Sequence, residues 1–471
     1  MKITVLAGSP KGERSFTLQY VSYIKKKFPE HELKILQITS GIRAMEENES
    51  LFRETIEEVR NSDCILWAFP VYCMLVPYGY KRFIELVRER EAEEAFEGSY
   101  AASLSTSIHF FDHTAHSYIH GISEDLGMKY VGYFSAGMMD LLEEEKREKL
   151  LFFAQEFFGA AERKAPVSRT YAPLEAGNFE YVPGELRGEL VTEVIRKEST
   201  GGKKIVVLSD AGTGDWEEMN LRRMVRRFKN RFSSGVEIIN LHDIYIKGPC
   251  IGCLQCGYDN SCIYAGKDGF IEFYNERLKT ADILVFAGTI KDRYLSSRWK
   301  LFFDRSFFNT HIPSFAGKQI GFIISGPLSQ IPNLREILQG YAERQEANLA
   351  GIVTDEFGDS AQIDSLLDEF AGKLLRYSKE GYVQPQTFPG IAGVKLFRDV
   401  VWGKLRPVFM ADHRYYKKHG RYDFPQHDLK VRLTNAVLYP LMKLPPFRKK
   451  MQEQMKKGGV PPEFKKVLEE K

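Results

Sequence analysis

Short, almost wholly apolar runs recur along the chain, each followed by a segment whose apolar positions return at helical spacing. Residues 2–9, KITVLAGS, form a β-branched run ending in a Gly-rich loop, and residues 204–211, KIVVLSDA, form another at an offset of 202. The runs KILQI at 34–38 and EIINL at 237–241 match at 203. Beyond them the offset becomes 219: SDCILWAF at 62–69 aligns with ADILVFAG, KRFIE at 81–85 with KLFFD at 300–304, and GSYAASL at 98–104 with GKQIGFI at 317–323. Amphipathic segments such as 17–28 and 220–232 lie between the runs. Each half therefore predicts five strands alternating with helices. Strands apolar on both faces call for a parallel sheet covered on both sides, with a ligand at the switch point beyond the strand C-termini. The predicted fold class is α/β, two tandem doubly wound parallel five-stranded sheets. The expected domains are 1–165 and 203–380, followed by an extension over 385–471.

The change of offset places about 16 extra residues between the second and third strands of the second half. Four of the six cysteines lie there, within 13 residues of one another. An insertion that adds little core but four thiols is most simply a binding graft. Six cysteines are too few for a disulfide scaffold in 471 residues, so the question is what the cluster binds. Charge divides the chain as well. Beyond residue 384 there are 19 Lys and Arg against 8 Asp and Glu, a net of +11, which leaves −8 for the rest. An acidic body argues against nucleic acid as a partner and leaves a basic tail to meet an acidic surface. The tail admits contact with a membrane surface, but packing on the acidic body or on a second subunit is the simpler expectation. No run of about 18 apolar residues and no leader pattern occurs, so a cytoplasmic protein is expected, working as a homo-oligomer.

Candidate chemistry sits in a few segments. The first strand runs into Gly8-Ser9-Pro10-Lys11-Gly12-Glu13-Arg14-Ser15-Phe16-Thr17 and then a helix. Helix-start amides, three hydroxyls and two cations suit a phosphate there, although neither a Walker loop nor GxGxxG is present. A plain helix entry capped by Ser15 is the alternative. Pro70-Val71-Tyr72-Cys73-Met74 follows the third strand, with side chains suited to one face of a flat ring, or else to a buried packing loop. His109, His113, His116 and His120 follow the fourth strand at spacings of 4, 3 and 4, on one face if the segment is helical. Only Asp112 accompanies them, so an active-site or solvated helix is preferred over a metal site.

The sharpest motif is Cys250-x2-Cys253-x2-Cys256-x5-Cys262. Its spacing matches cysteinyl ligation of an iron–sulfur cluster. Zinc sites of four cysteines usually pair two CxxC knuckles across a longer loop, and a redox disulfide needs only two of the four. In the second half the first loop reads Asp210-Ala211-Gly212-Thr213-Gly214-Asp215-Trp216, whose acids would repel a phosphate. A phosphate ligand is expected in the first half only.

GSPKGERSFT followed by FPVYCMLVPYGYKRFIE resembles the NADPH-dependent FMN reductase group of the flavodoxin-like superfamily. The cysteine insertion resembles that of the iron–sulfur flavoproteins in the same superfamily, and together the resemblance covers about residues 1–375. It implies tandem flavodoxin-like domains. It implies an FMN phosphate held by Ser9, Lys11, Arg14, Ser15 and Thr17, with Gly12 and Phe16 in the same cofactor-binding loop, and a flavin ring lined by Pro70, Val71, Tyr72, Cys73 and Met74. Ser105, Thr106 and Ser107 would form the third wall, and Cys250, Cys253, Cys256 and Cys262 would ligate a [4Fe–4S] cluster. Phe16 stands where the family often has Asn. Lys267-Asp268-Gly269 partly matches the acidic turn that follows the cysteines in those flavoproteins.

The expected function is an oxidoreductase or electron-transfer flavoprotein that passes electrons between FMN and a [4Fe–4S] cluster. NAD(P)H is the candidate donor, and the redox partner is a small molecule or a protein. Two readings stay open beside it: an NAD(P)H-dependent FMN or quinone reductase without a cluster, and a non-catalytic redox-sensing binding protein. The two-centre reading requires the flavin loop and the cysteine loop to lie close together, within or between chains.

Overall fold

The computed structural model describes residues 1–175, 177, 179–186, 198–212, 216–423 and 428–456. In the first half, β1 (Lys2–Ala7), β2 (Glu32–Gln37), β3 (Cys64–Pro70), β4 (Tyr100–Ser107) and β5 (Lys129–Gly137) alternate with helices. These are α1 (Phe16–Lys27), α2 (Ile38–Glu47), α3 (Glu49–Arg60), α4 (Tyr78–Glu89), α5 (Asp112–Asp125) and α6 (Glu144–Glu162). Every strand pair is parallel, and the sheet order is β2-β1-β3-β4-β5. The second half repeats it. There β6 (Ile205–Ser209), β7 (Val236–Asn240), β8 (Ile283–Thr289), β9 (Gln319–Ser325) and β10 (Asn348–Thr354) lie in the order β7-β6-β8-β9-β10. The helices are α7 (Trp216–Asn230), the short α8 (Cys256–Asp259) and α9 (Phe270–Phe273), α10 (Ser297–Ser306), α11 (Pro332–Arg344) and α12 (Ser360–Glu380). Both sheets therefore have the tandem doubly wound, flavodoxin-like order that the alternating apolar runs predict.

Central strands bury almost every side chain, because helices cover both faces, whereas the edge strands β2 and β5 are mixed. The outer face of each sheet has a core of its own. The inner faces share one: Trp67, Phe69, Phe83 and Tyr118 of the first domain belong to the same apolar cluster as Phe286, Trp299 and Phe302 of the second.

A polar seam crosses this shared core with an internal pseudo-twofold. Lys81 Nζ, fully buried, reaches Glu85 at 2.7 Å and Asp292 of the other domain at 2.9 Å. Its counterpart at the offset of 219, Lys300, pairs with Asp304 and donates to the Tyr72 carbonyl of the other domain at 2.9 Å. Glu85 accepts the Ser297 amide at 2.6 Å, and Asp304 accepts the Tyr78 amide at 2.8 Å. Each domain thus meets the positive start of the other's central helix with a carboxylate. Arg293 adds a two-pronged bond to Asp125, 2.7 Å on each arm. Removing one partner of a buried pair costs about 3–5 kcal/mol, so such a seam fixes one mutual arrangement of the domains.

The chain divides into two compact units, Met1–His413 and Arg414–Lys471. The first holds both sheets together with α13 (Phe388–Trp402), which packs on α11. α14 (Met410–Lys418) carries the chain across the boundary. Within the second unit, Asp428 caps α15 (Leu429–Met442) by accepting the Val431 amide, and α16 (Pro445–Lys456) packs against it. Among the described residues no helix is long and apolar enough to cross a membrane.

Candidate functional site

The loops at the C-terminal edge of the first sheet converge on Thr106. Its hydroxyl shares a 2.6 Å bond with that of Thr17 in the first turn of α1, and its carbonyl accepts the Val71 amide at 3.2 Å. The three sequence segments expected around a flavin are therefore tied together at the end of β4. Ser9, Ser15, Thr17, Ser105, Thr106 and Ser107 are buried, while Lys11, Arg14 and Phe16 are exposed. The Ser9 hydroxyl accepts the Lys11 amide at 3.2 Å. Gly12 has φ +54°, a left-handed conformation that glycine takes without strain, and it starts the single tight turn that aims the chain into α1. Ser15 does not cap α1 with its side chain, so the capped-entry alternative is not what the loop does. The first amides of the helix face the loop of hydroxyls and cations. Gln37, at the end of β2 beside Gly12, buries its carboxamide oxygen without a partner. Buried acceptor, hydroxyls, helix start and two cations form a cradle that suits a phosphate ester with its hydroxylated chain.

Pro70, Val71, Tyr72 and Cys73 are half-buried, and Met74 is buried. Tyr72 and Leu75 exchange backbone hydrogen bonds of 2.8 and 3.0 Å across a tight turn. That turn puts Cys73 (φ +41°) and Met74 (φ +67°) in the left-handed region, where a side chain is strained. The second domain holds it in place, because Lys300 donates to the Tyr72 carbonyl and the Cys73 thiol donates to the Phe303 carbonyl at 3.1 Å. Burial, then the Asp304 carboxylate, pushes the Cys73 thiol well above its ordinary pKa, so it stays protonated.

The four histidines do not form one site. His109 lies before α5 at φ +65° and bonds Asp112 at 2.9 Å; the same carboxylate accepts from Ser135 at 2.5 Å. Burial opposes ionisation of Asp112, but the bonds from His109 and Ser135 outweigh it and hold the carboxyl below its usual range. His113 meets Glu336 of the second domain at 2.9 Å. His116 is buried between the hydroxyls of Ser103 and Ser105, at 2.7 and 2.8 Å, and burial pulls it down to about 3, so it is neutral. His120 stacks on Tyr130 and bonds Glu124.

In the second domain the loop between β7 and β8 brings Cys250, Cys253, Cys256 and Cys262 to the wall of one pocket. All four are free thiols. Burial, opposed by the Gly252 backbone, pushes Cys250 up to about 12, and burial followed by its three neighbours pushes Cys256 up to about 12. Arg305 of α10 also lines the pocket, with its Nε buried and without a partner. Among the described residues no three His, Cys, Asp or Glu side chains are grouped to hold a single metal ion.

The decisive placement is between the two loops. Gly252, at φ +63° between Cys250 and Cys253, packs so tightly on the first domain that a Cβ there would run into the Tyr72 hydroxyl and come within 3.2 Å of Lys11 Cε. Cysteine pocket and flavin-type loop touch within one chain. The charges of Cys250 and Cys253 are among the influences that, after burial, raise the Tyr72 phenol.

Residues 1–137 match the model of the family described as NADPH-dependent FMN reductase. The match lies within the first domain. Among solved structures, the chain is similar to FerB, a flavoenzyme NAD(P)H:(acceptor) oxidoreductase from Paracoccus denitrificans, at 16% identity over 34% of this chain and 97% of that one, with a TM-score of 0.29. An NAD(P)H:quinone oxidoreductase from Methanothermobacter marburgensis matches at 14% identity, 36% and 99% coverage and a TM-score of 0.27. An NADH:FMN oxidoreductase in apo form matches at 18% identity, 33% and 87% coverage and a TM-score of 0.29. No curated protein matches the sequence.

At the matching place in the second domain, Asp210 is buried against Ser296, with one carboxylate oxygen unpartnered, and burial raises it to about 7. The Glu218 carboxylate lies 2.6 Å from where a Cβ of Gly212 would be, and pairs with Lys291 at 3.0 Å. Thr213, Gly214 and Asp215 of that loop lie outside the described residues.

The sequence reading missed Lys300, Asp304, Arg305 and Gln37. A signal was present: Lys300 and Asp304 stand four apart in the otherwise apolar KLFFD, at the positions that Lys81 and Glu85 occupy in KRFIE.

Proposed function

We propose that the protein is a flavin-dependent oxidoreductase in which FMN in the reductase domain exchanges electrons with a [4Fe–4S] cluster held by the second domain of the same chain. The observation that carries this reading is the contact of Tyr72 and Lys11 with Gly252. Ser9, Lys11, Gly12, Arg14, Ser15 and Thr17 would hold the FMN phosphate, with Gln37 near its hydroxylated chain and Phe16 at the exposed rim. Pro70 to Met74 would line the ring, and Ser105 to Ser107 would close it. Cys250, Cys253, Cys256 and Cys262 would ligate the cluster. The donor set supports this assignment, since a cube is ligated at separate iron atoms and its cysteines need not converge on one point. The unpartnered Arg305 Nε is a donor of the kind an anionic cluster accepts. When bound, FMN supplies exchange of electron pairs with a nicotinamide and of single electrons with a one-electron centre, and the chain supplies proximity and surroundings. Lys300 fixes the Tyr72 carbonyl and so keeps the strained turn pressed against the cysteine loop. The crowding of Glu218 before Gly212 supports a single flavin per chain.

A plain NAD(P)H-dependent FMN or quinone reductase accounts for the family match over 1–137 equally well, with the cysteine loop holding zinc or free thiols. Purification without oxygen, with flavin, iron and sulfide assayed on the same sample, separates the two. About one FMN, four iron and four sulfide per chain supports the two-centre reading; FMN without iron leaves the plain reductase.

A further inference from the structure

We infer that Arg305 sets the reduction potential of the group in the four-cysteine pocket, by presenting a positive charge and a free N–H to it; this rests on the cluster reading above. The side chain is buried, yet it comes from a helix that faces the domain core, where an arginine needs a reason. Its guanidinium has five N–H donors in a fixed fork. Nη1 donates to Asp268 at 2.6 Å and to the Gly248 carbonyl at 2.9 Å, and Nη2 donates to Asp268 at 3.1 Å. The plane lies over the rings of Tyr264, at 4.4 Å, and Phe270, at 5.0 Å. Three hydrogen bonds and two ring contacts lock its position. Those bonds leave the Nε–H and one Nη2–H, and Nε is buried without a partner.

The pair also has a direction. Arg305 lines the cysteine pocket and Asp268 does not. Asp268 instead accepts the amides of Lys247 at 3.0 Å and Phe270 at 3.3 Å in addition to the arginine. The ion pair therefore turns its positive end toward the thiols. One electron added to a cluster adds one negative charge in a low-dielectric pocket, and a donor and cation fixed beforehand stabilise that reduced state more than the oxidised one. A brace that only held the loop would leave the electron affinity unchanged.

The test is an anaerobic redox titration of the full chain loaded with iron and sulfide, followed by absorption and electron paramagnetic resonance. Arg305→Gln should make reduction of the cluster at least tenfold less favourable, a midpoint about 59 mV lower for a one-electron couple. Asp268→Asn should move the midpoint upward, because it removes the charge that offsets the guanidinium. Iron and FMN per chain, measured alongside, report that each variant is folded and loaded. An unchanged midpoint in Arg305→Gln with iron retained, or shifts of the same sign in both variants, would overturn the inference while leaving the cluster reading intact. Should Arg305→Gln fail to load, Asp268→Asn decides alone, an upward shift supporting the inference and any other result overturning it. A wild-type chain that takes up no iron and sulfide overturns the cluster reading itself, and this inference with it.

Discussion

The two sheet edges are built from the same plan and furnished in opposite ways. After β1 the chain offers Gly8, three buried hydroxyls, a glycine turn and two exposed cations. After β6 the position of Gly8 is taken by the buried Asp210, and Glu218 with Lys291 crowds Gly212. After β3 the turn carries Tyr72 and Cys73; after β8 the equivalent turn carries Lys291 and Asp292, both tied up in ion pairs. What the second domain lost at its own edge it supplies to its neighbour, as Lys300 on the Tyr72 carbonyl and as the cysteine loop on Tyr72 and Lys11. Chain topology thus provides two equivalent places, and loop chemistry decides which of them binds what.

The sharpest way to break this division is to remove one thiol. Cys256→Ser should reduce iron and sulfide to none while one FMN per chain remains; joint loss of both cofactors would mean that the sites are not divided between the domains. The next largest effect is on stability. Lys81→Met leaves the buried Asp292 without its lysine and Glu85 with Arg82 as its remaining cation, and should cost about 3–5 kcal/mol. Lys300→Met strands only Asp304 and should cost less. Urea unfolding of the two variants measures the difference, and equal losses would erase the asymmetry of the seam. A smaller change tests the phosphate cradle. Thr17→Val removes one hydroxyl and its bond to Thr106, and should weaken FMN binding to the apoprotein roughly tenfold, on the order of 1.4 kcal/mol. Glu218→Gln in the second domain should leave the stoichiometry at one FMN, as read by flavin fluorescence; a second bound flavin would show the two edges to be alike after all.

Much of this was legible in the sequence because it depends on local pattern. Apolar runs at fixed offsets determine ten strands and their order, and the extra residues at the change of offset locate the cysteine loop before any coordinate is seen. Thr17 and the 105–107 segment could be placed at one edge because a doubly wound sheet brings its strand ends together. Contacts across the domain interface were not legible, since nothing in a linear pattern says that Lys81 reaches Asp292 or that Gly252 meets Tyr72. The histidine stripe shows the limit from the other side. Its spacing is helical, but His109 precedes the helix in a left-handed conformation, and the other three bond different partners. Periodicity gives a face, and tertiary packing decides what each position on it touches.

The smallest effect is a pH dependence confined to the second domain. Asp210 has an ordinary value of 3.8 and is raised to about 7 by burial. The folded chain therefore keeps a proton that the unfolded chain releases, and folding takes one up throughout that interval. The stabilising contribution is complete below about pH 4 and is lost as the pH rises through about 7. Asp210→Asn should flatten the stability profile across this window, measured as the urea midpoint from pH 4 to 8, and should leave FMN affinity untouched at every pH. The first domain has Gly8 at the matching position and nothing there to titrate. A profile unchanged by Asp210→Asn would place the pH dependence elsewhere and remove one of the differences between the two edges.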